Sequence, residues 1–404
     1  MPRKLLIGTA IAVPICVAVI LALTLGIGPG SLTGARQAPL RLIVSPALGA
    51  APVASTTRVS AEAVNGVISS VSLTGPGLSV HHSVGAASWR YGGELASGDA
   101  YRLRVAARSD DGKVRTDSVS FTTLGAPIQL QPLPGPIGGQ LGPGAVIKVQ
   151  FGQAIATSEQ AEVADAVQVQ MSQPETIGWY WVSPTNLDMR PQSFWPQGEQ
   201  VTVSANFNDL VLDDHPVENS NFSLSFDVTE DHHSVVNLST DMMSIYDGSQ
   251  LLKTVPISGG QAGFPTISGT LVVLFKSPVV HMVSTSIGIP AGSADSYDLN
   301  VYDDVAISDD GYYVHDASWD VGDHGVANVS YGCVEEDPSE ATWFYNWSLP
   351  GDVVQVEGST LAAGFSDGEG DWNLPWSQWT VLPSTAPTPS PSASPTPQAG
   401  AGSA

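Results

Sequence analysis

The chain has 404 residues, 42% hydrophobic and 13% charged, with 41 glycines and 30 prolines. That length allows roughly two to four domains, and the hydrophobic fraction excludes a wholly disordered chain. Thirty-nine acidic residues against fifteen basic ones give a formal charge of −24, the wrong sign for a phosphate backbone, so nucleic acid is excluded as a partner. Two cysteines exclude a disulfide scaffold and a Cys-based zinc module.

In chain order, Arg3 and Lys4 precede a charge-free run whose core, Leu5 to Ile27, is long enough to cross a bilayer. The basic flank predicts that residues 1–30 form a cytoplasmic stub and a transmembrane anchor, with everything beyond about Gly30 outside the cell. A cleaved signal peptide is the alternative, but its apolar stretch is usually shorter. Cys16 falls within this run, which leaves Cys333 as the only cysteine of the exported part.

Residues 38–125 read as short strands with turn residues between them. Thr57-Arg58-Val59-Ser60 and Tyr101-Arg102-Leu103-Arg104-Val105 show the apolar/polar alternation of a small antiparallel sandwich. Pro-Gly clusters between Pro127 and Pro143 mark a boundary, and residues 126–228 repeat the same character. The aromatics Trp179, Tyr180, Trp181, Phe194 and Trp195 are expected in that unit's core and between its strands. Residues 229–358 form a third, β-rich unit. Near its end Asp337-Pro338-Ser339-Glu340 predicts a helix start, with Asp as cap and Pro at the first helical position. Trp343, Phe344 and Trp347 give that helix an apolar stripe. Residues 359–382 are expected to pack back on the fold. Residues 383–404 are rich in Ser, Thr, Pro and Ala without charge, and are expected to be a disordered tail.

The segment with chemistry in it runs from His315-Asp316 to Ser330-Tyr331-Gly332-Cys333. A free thiol outside the cell is an oxidation hazard. As a nucleophile it needs a base and backbone N–H groups for the developing oxyanion. His315 and a turn through Gly332 are candidates for those two roles. On residue types alone, a structural cysteine beside an unrelated histidine is the commoner arrangement.

The stretch His315…Trp319…Gly322…Gly325…Ala327-Asn328-Val329-Ser330-Tyr331-Gly332-Cys333, followed by Trp343-Phe344-Tyr345 and Gly351-Asp352-Val353-Val354, resembles the active-site region of actinobacterial L,D-transpeptidases. The eighteen positions between His315 and Cys333 match that family's spacing, and the resemblance extends over roughly nine-tenths of the chain. It implies a mainly β fold: two immunoglobulin-like β-sandwich domains, then a catalytic domain with one short helix after the cysteine. It also implies acyl transfer on peptidoglycan stem peptides, making 3→3 cross-links, with carbapenem-type β-lactams as covalent inhibitors and no cofactor or metal. Carried over position by position, Cys333 is the nucleophile, His315 the base and the Asp316 backbone carbonyl its support. The amides of Gly332 and Cys333, with Tyr331, would form the oxyanion hole. Tyr297, Met282, Ser330, Asn328 and Glu335 would contact substrate. Trp372, Trp376 and Trp379 look structural.

Two residues depart from the family motif. Tyr331 stands where it has a histidine, and Glu335 where it has a polar or basic residue. Carboxylates at 335, 336 and 337 disfavour a thiolate. A degenerate wall-binding scaffold and an L,D-carboxypeptidase are therefore the alternative readings. His324 reads as a solvated loop histidine. A calcium site from Asp316, Asp320, Asp323 and His324 lacks the glycine and glutamate placement of a known loop.

Overall fold

The computed structural model describes residues 38–136 and 138–381. The expected anchor and tail lie outside them. Among the described residues no helix is long and apolar enough to cross a membrane.

Two compact units result, and the described residues of the first are 38–50, Thr57–Gly93 and Tyr101–Phe121. A four-stranded sheet orders Leu78–Ala86, Val67–Gly75, Ala100–Arg108 and Val114–Thr122, and a three-stranded sheet holds Arg41–Ser45, Ser60–Val64 and Ser88–Arg90. In Ala100–Arg108 the alternation expected from sequence is met: Tyr101, Leu103, Val105 and Ala107 are buried while Arg102 and Arg104 are exposed. Ile68, Val71, Leu73 and Trp89 are also buried in this unit's core.

The second unit begins with another pair of sheets. Ile177–Ser183, Asn186–Pro191 and Ile147–Gln150 lie in one, and Val167–Met171, Glu199–Ala205 and Phe222–Val228 in the other. Their inner faces share a core that includes Ile147, Leu187, Met189, Trp195, Val203 and Phe226. Of the aromatics expected there, Trp195 is fully buried and Trp181 stacks on Phe151 at 5.5 Å. Phe194 stays 40% exposed, against Trp372. The strand Thr380–Val381 adds to the edge of this sandwich beside Trp179.

A ten-stranded mixed sheet forms the remainder. Its strands in chain order are β1 (His232–Asn237), β2 (Met242–Asp247), β3 (Gln250–Ser258), β4 (Ile267–Val272), β5 (Phe275–Val283), β6 (Asp298–Ala306), β7 (Tyr313–Asp316), β8 (Val334–Glu336), β9 (Val353–Glu357) and β10 (Leu361–Ala362). Across the sheet the order is β5-β6-β7-β8-β3-β2-β1-β9-β4-β10. Helix α1 (Pro338–Trp347) follows β8, and the Asp337 side chain caps it by accepting from the Ser339 amide at 3.1 Å. Phe344 is buried in the sheet's core, with Trp343 and Trp347 packed beside it.

This sheet and the second sandwich are fastened backbone to backbone. Gly142 N donates to Pro350 O at 2.8 Å, and Gly144 N to Gly351 O at 2.7 Å. A Cβ at Gly142 would lie 2.1 Å from the Asp352 amide nitrogen, so only glycine permits this approach.

Candidate active site

β7 and β8 run parallel, with Val314 against Val334 and His315 against Glu335. Cys333 is the residue before β8, so it stands opposite Tyr313 and two positions from His315. Side chains alternate across a sheet, which puts His315, Cys333 and Glu335 on one face. With strands about 4.8 Å apart and about 3.3 Å per residue, the His315 and Cys333 Cα atoms are separated by about 8 Å. That face lines a cavity of about 560 Å³. Tyr297, Met282, Tyr331 and Ser330 line the same cavity.

His315 is 3% exposed, and its Nδ1 lies 2.8 Å from the backbone carbonyl oxygen of Asp316. A carbonyl only accepts, so Nδ1 carries the hydrogen and Nε2 of the neutral ring is left with the lone pair. Burial pushes the ring's pKa down to about 4, against the support of the Asp316 carbonyl and with a further push from His324. Cys333 keeps part of its surface exposed, and its Sγ lies 3.7 Å from the Gly311 carbonyl oxygen. Burial raises the thiol to about 12; a backbone hydrogen bond from Tyr313 opposes this, and Glu335 and Asp304 add to it. Both shifts favour a thiol and a neutral imidazole over an ion pair at neutral pH.

The turn into Cys333 is built by Ser330. Its hydroxyl donates to the Cys333 carbonyl at 2.6 Å and accepts from the Gly332 amide at 3.1 Å. Gly332 has φ +121°, and a Cβ there would lie 3.1 Å from Tyr312 Cε1. The sequence expectation for this turn needs correction on two counts. The Gly332 amide, expected to face an oxyanion, is committed to the Ser330 hydroxyl. Ser330, expected on substrate, borders the cavity but is 2% exposed, and its hydroxyl is taken up by the Cys333 carbonyl and the Gly332 amide.

Asn328 is a third correction. It does not line the cavity; its Oδ1 accepts from Gly259 N at 2.7 Å, and its Nδ2 donates to Leu238 O and Asp241 Oδ1, each at 2.8 Å. It ties three separate backbone segments together under the site. Tyr331 is a wall: its ring packs on Tyr297 at 5.4 Å and on Phe264 at 5.2 Å.

Sequence reasoning also misplaced His324, which is buried, not solvated. Gly325 N donates to Ile257 O at 3.0 Å and folds that loop back onto β3. His324 Nε2 stands 3.5 Å from Asp320 Oδ1. Glu335 faces the same corner, and its pKa is raised by burial first and then by the Asp320 carboxylate. Gly311, Tyr313 and Asp304 also act on the thiol, and none was marked by a motif; only the strand pairing brings them there.

These features have counterparts among known proteins. A family profile described as the bacterial Ig domain matches residues 50–211, and the profile of the L,D-transpeptidase catalytic domain matches residues 231–356. The probable L,D-transpeptidase 3 of Mycobacterium tuberculosis (strain H37Rv) is 30% identical over 228 residues, which cover 52% of this chain and 80% of that protein. This chain belongs to the L,D-transpeptidases. L,D-transpeptidase 2 of Mycobacterium tuberculosis (strain CDC 1551) is 29% identical over 346 residues, covering 84% of each chain. A solved structure of an L,D-transpeptidase in complex with imipenem is 26% identical, covers 56% of this chain and all of that one, and has a TM-score of 0.48. The chain is thus an L,D-transpeptidase enzyme whose catalytic domain follows an immunoglobulin-like part.

Proposed function

We propose that this L,D-transpeptidase forms 3→3 peptidoglycan cross-links from the outer side of the cytoplasmic membrane, with Cys333 as nucleophile and His315 as general base. The observation that carries this reading is that both side chains face one cavity while His315 presents an unprotonated Nε2. In the first half-reaction, Cys333 Sγ attacks the carbonyl of the third stem residue. Its proton passes to His315 Nε2, and then to the nitrogen of the departing D-alanine as the C–N bond breaks. A thioester remains. In the second, the side-chain amine of a diamino acid on a neighbouring stem attacks the thioester. A new amide forms, the amine proton leaves through His315, and the sulfur departs and is reprotonated.

The amides of Cys333 and Tyr331 are the oxyanion donors in this reading, because the Gly332 amide is occupied by Ser330. Tyr297, Tyr331 and Met282 wall the donor stem. A carbapenem would meet the same nucleophile through its strained carbonyl. Placement outside the membrane rests on the basic Arg3 and Lys4 ahead of the charge-free run to Ile27. Protease accessibility of the catalytic part in intact spheroplasts tests it.

Incubation with tetrapeptide stems tests the chemistry. Cross-linked dimers with one D-alanine released per link are expected. Release of D-alanine without dimers would make the protein an L,D-carboxypeptidase, and neither product would leave only the fold.

A further inference from the structure

Asp320 and Glu335 line the cavity beyond Cys333, His324 is buried beside Asp320, and the acyl-transfer steps give none of the three a role. We propose that Asp320, His324 and Glu335 form a binding site for a divalent cation of the zinc class. One ligating atom from each lies within 4.8 Å of the other two. Two ligands on one ion at about 2.1 Å can stand up to about 4.2 Å apart, so a small side-chain adjustment gathers all three.

The surroundings point the same way. Among the described residues both buried ring nitrogens of His324, Asp320 Oδ1 and Glu335 Oε2 lack a hydrogen-bond partner, although Glu335 also meets the side chains of Asp320, Trp319 and Ser258. The His324 side chain is only 3% exposed and is aimed at the Asp320 carboxylate. Buried polar atoms without partners are costly, and a buried carboxylate beside a half-buried one more so. A basic side chain would ordinarily answer them, but beyond residue 190 the chain has only Lys253 and Lys276. Lys253 is paired with Glu340 and lies over the Trp343 ring. Lys276 donates to the carbonyls of Tyr345 and Ser348. Neither is available here.

One imidazole and two carboxylates suit zinc better than calcium, which prefers oxygen donors alone. Three protein ligands leave coordination positions for water. Bound there, the ion would tie the loop carrying Asp320 and His324 to β8, next to the nucleophile. The proposal stands independently of which acyl acceptor the enzyme uses.

A zinc ion bound instead by Cys333 and His315 is the rival, so the test removes the sulfur first. After chelation and dialysis, the full chain carrying Cys333→Ala is titrated with Zn²⁺ by calorimetry. One equivalent should bind, and adding His324→Gln should weaken binding about tenfold or more. Should His324→Gln fail to fold, as judged by its metal-free melting curve, Asp320→Asn replaces it with the same expectation. X-ray absorption of the unmodified full chain with one equivalent of Zn²⁺ should show nitrogen and oxygen neighbours only. Loss of binding in Cys333→Ala, unchanged binding in the His324 or Asp320 variant, or a sulfur neighbour in the absorption spectrum would each overturn the proposal.

Discussion

His315 Nδ1 donates to the backbone carbonyl of Asp316 at 2.8 Å, and this single bond decides which ring nitrogen is left to take a proton from Cys333. The base is thereby fixed as Nε2 before any substrate arrives. Its supporting group is a backbone atom, which no side-chain substitution removes.

The resting protonation state follows from the same geometry. With His315 near 4 and the Cys333 thiol near 12, the metal-free enzyme at pH 7 should show no thiolate ultraviolet absorbance. Acylation requires the neutral imidazole. Its rate should therefore fall as the pH approaches about 4 and not at the ordinary histidine value of 6.5. A pH–rate profile for acylation by a carbapenem checks both statements.

Ser330 holds the turn that presents the sulfur. Ser330→Ala strands the buried Gly332 amide and frees the Cys333 carbonyl. Losing such a partner costs about 1–3 kcal/mol. A lower melting temperature and an acylation rate reduced by roughly an order of magnitude are expected, and stopped-flow fluorescence with a carbapenem reads the second. Gly332→Ala should be worse, because it adds a strained φ and a close contact with Tyr312.

Arg190 fastens the C-terminal segment to the second sandwich. Its guanidinium lies 4.3 Å from the Trp372 ring centroid, 5.1 Å from that of Trp376 and 4.6 Å from that of Trp379, and it donates to Leu374 O at 3.3 Å. Arg190→Ala should cost about 2–3 kcal/mol. It should also open the segment around residues 365–381 to limited proteolysis while leaving acylation of Cys333 nearly unchanged. Arg190→Lys should not rescue it, since an ammonium cannot stack among three indoles.

The same interface predicts how stability depends on pH. Burial raises Glu369 from 4.5 to about 7, although Lys148 sits 3.2 Å away, and raises the neighbouring Asp188 and Asp371 as well. Between the unfolded and folded values the native state holds more protons than the unfolded one, so stability decreases with rising pH. From Glu369 the loss should run from about pH 4.5 to about pH 7. Denaturant melts of the parent protein and Glu369→Gln at several pH values should show that slope in the first and a flatter one in the second.

Much of this architecture is legible in the residues, and the reasons are local. Alternation along Tyr101–Val105 marks a half-buried strand because side chains alternate, and Asp337-Pro338 marks a helix start because a cap and a fixed φ act within one turn. The His315-to-Cys333 interval is readable because β7, one loop and the entry to β8 are consecutive. What escapes such reading depends on partners distant in sequence. Asn328 looks like a site residue until Leu238, Asp241 and Gly259 are seen to occupy its amide. His324 looks exposed until its loop is seen folded onto Ile257. The Gly332 amide looks free because nothing in the local pattern shows where the Ser330 hydroxyl points.

Intact-mass spectrometry of the folded full chain after incubation with a carbapenem reads out whether Cys333 is the nucleophile. One covalent adduct per chain is expected, absent in Cys333→Ala and strongly slowed in His315→Asn. No adduct on the unmodified chain, or an adduct that persists without the Cys333 sulfur, would contradict that role.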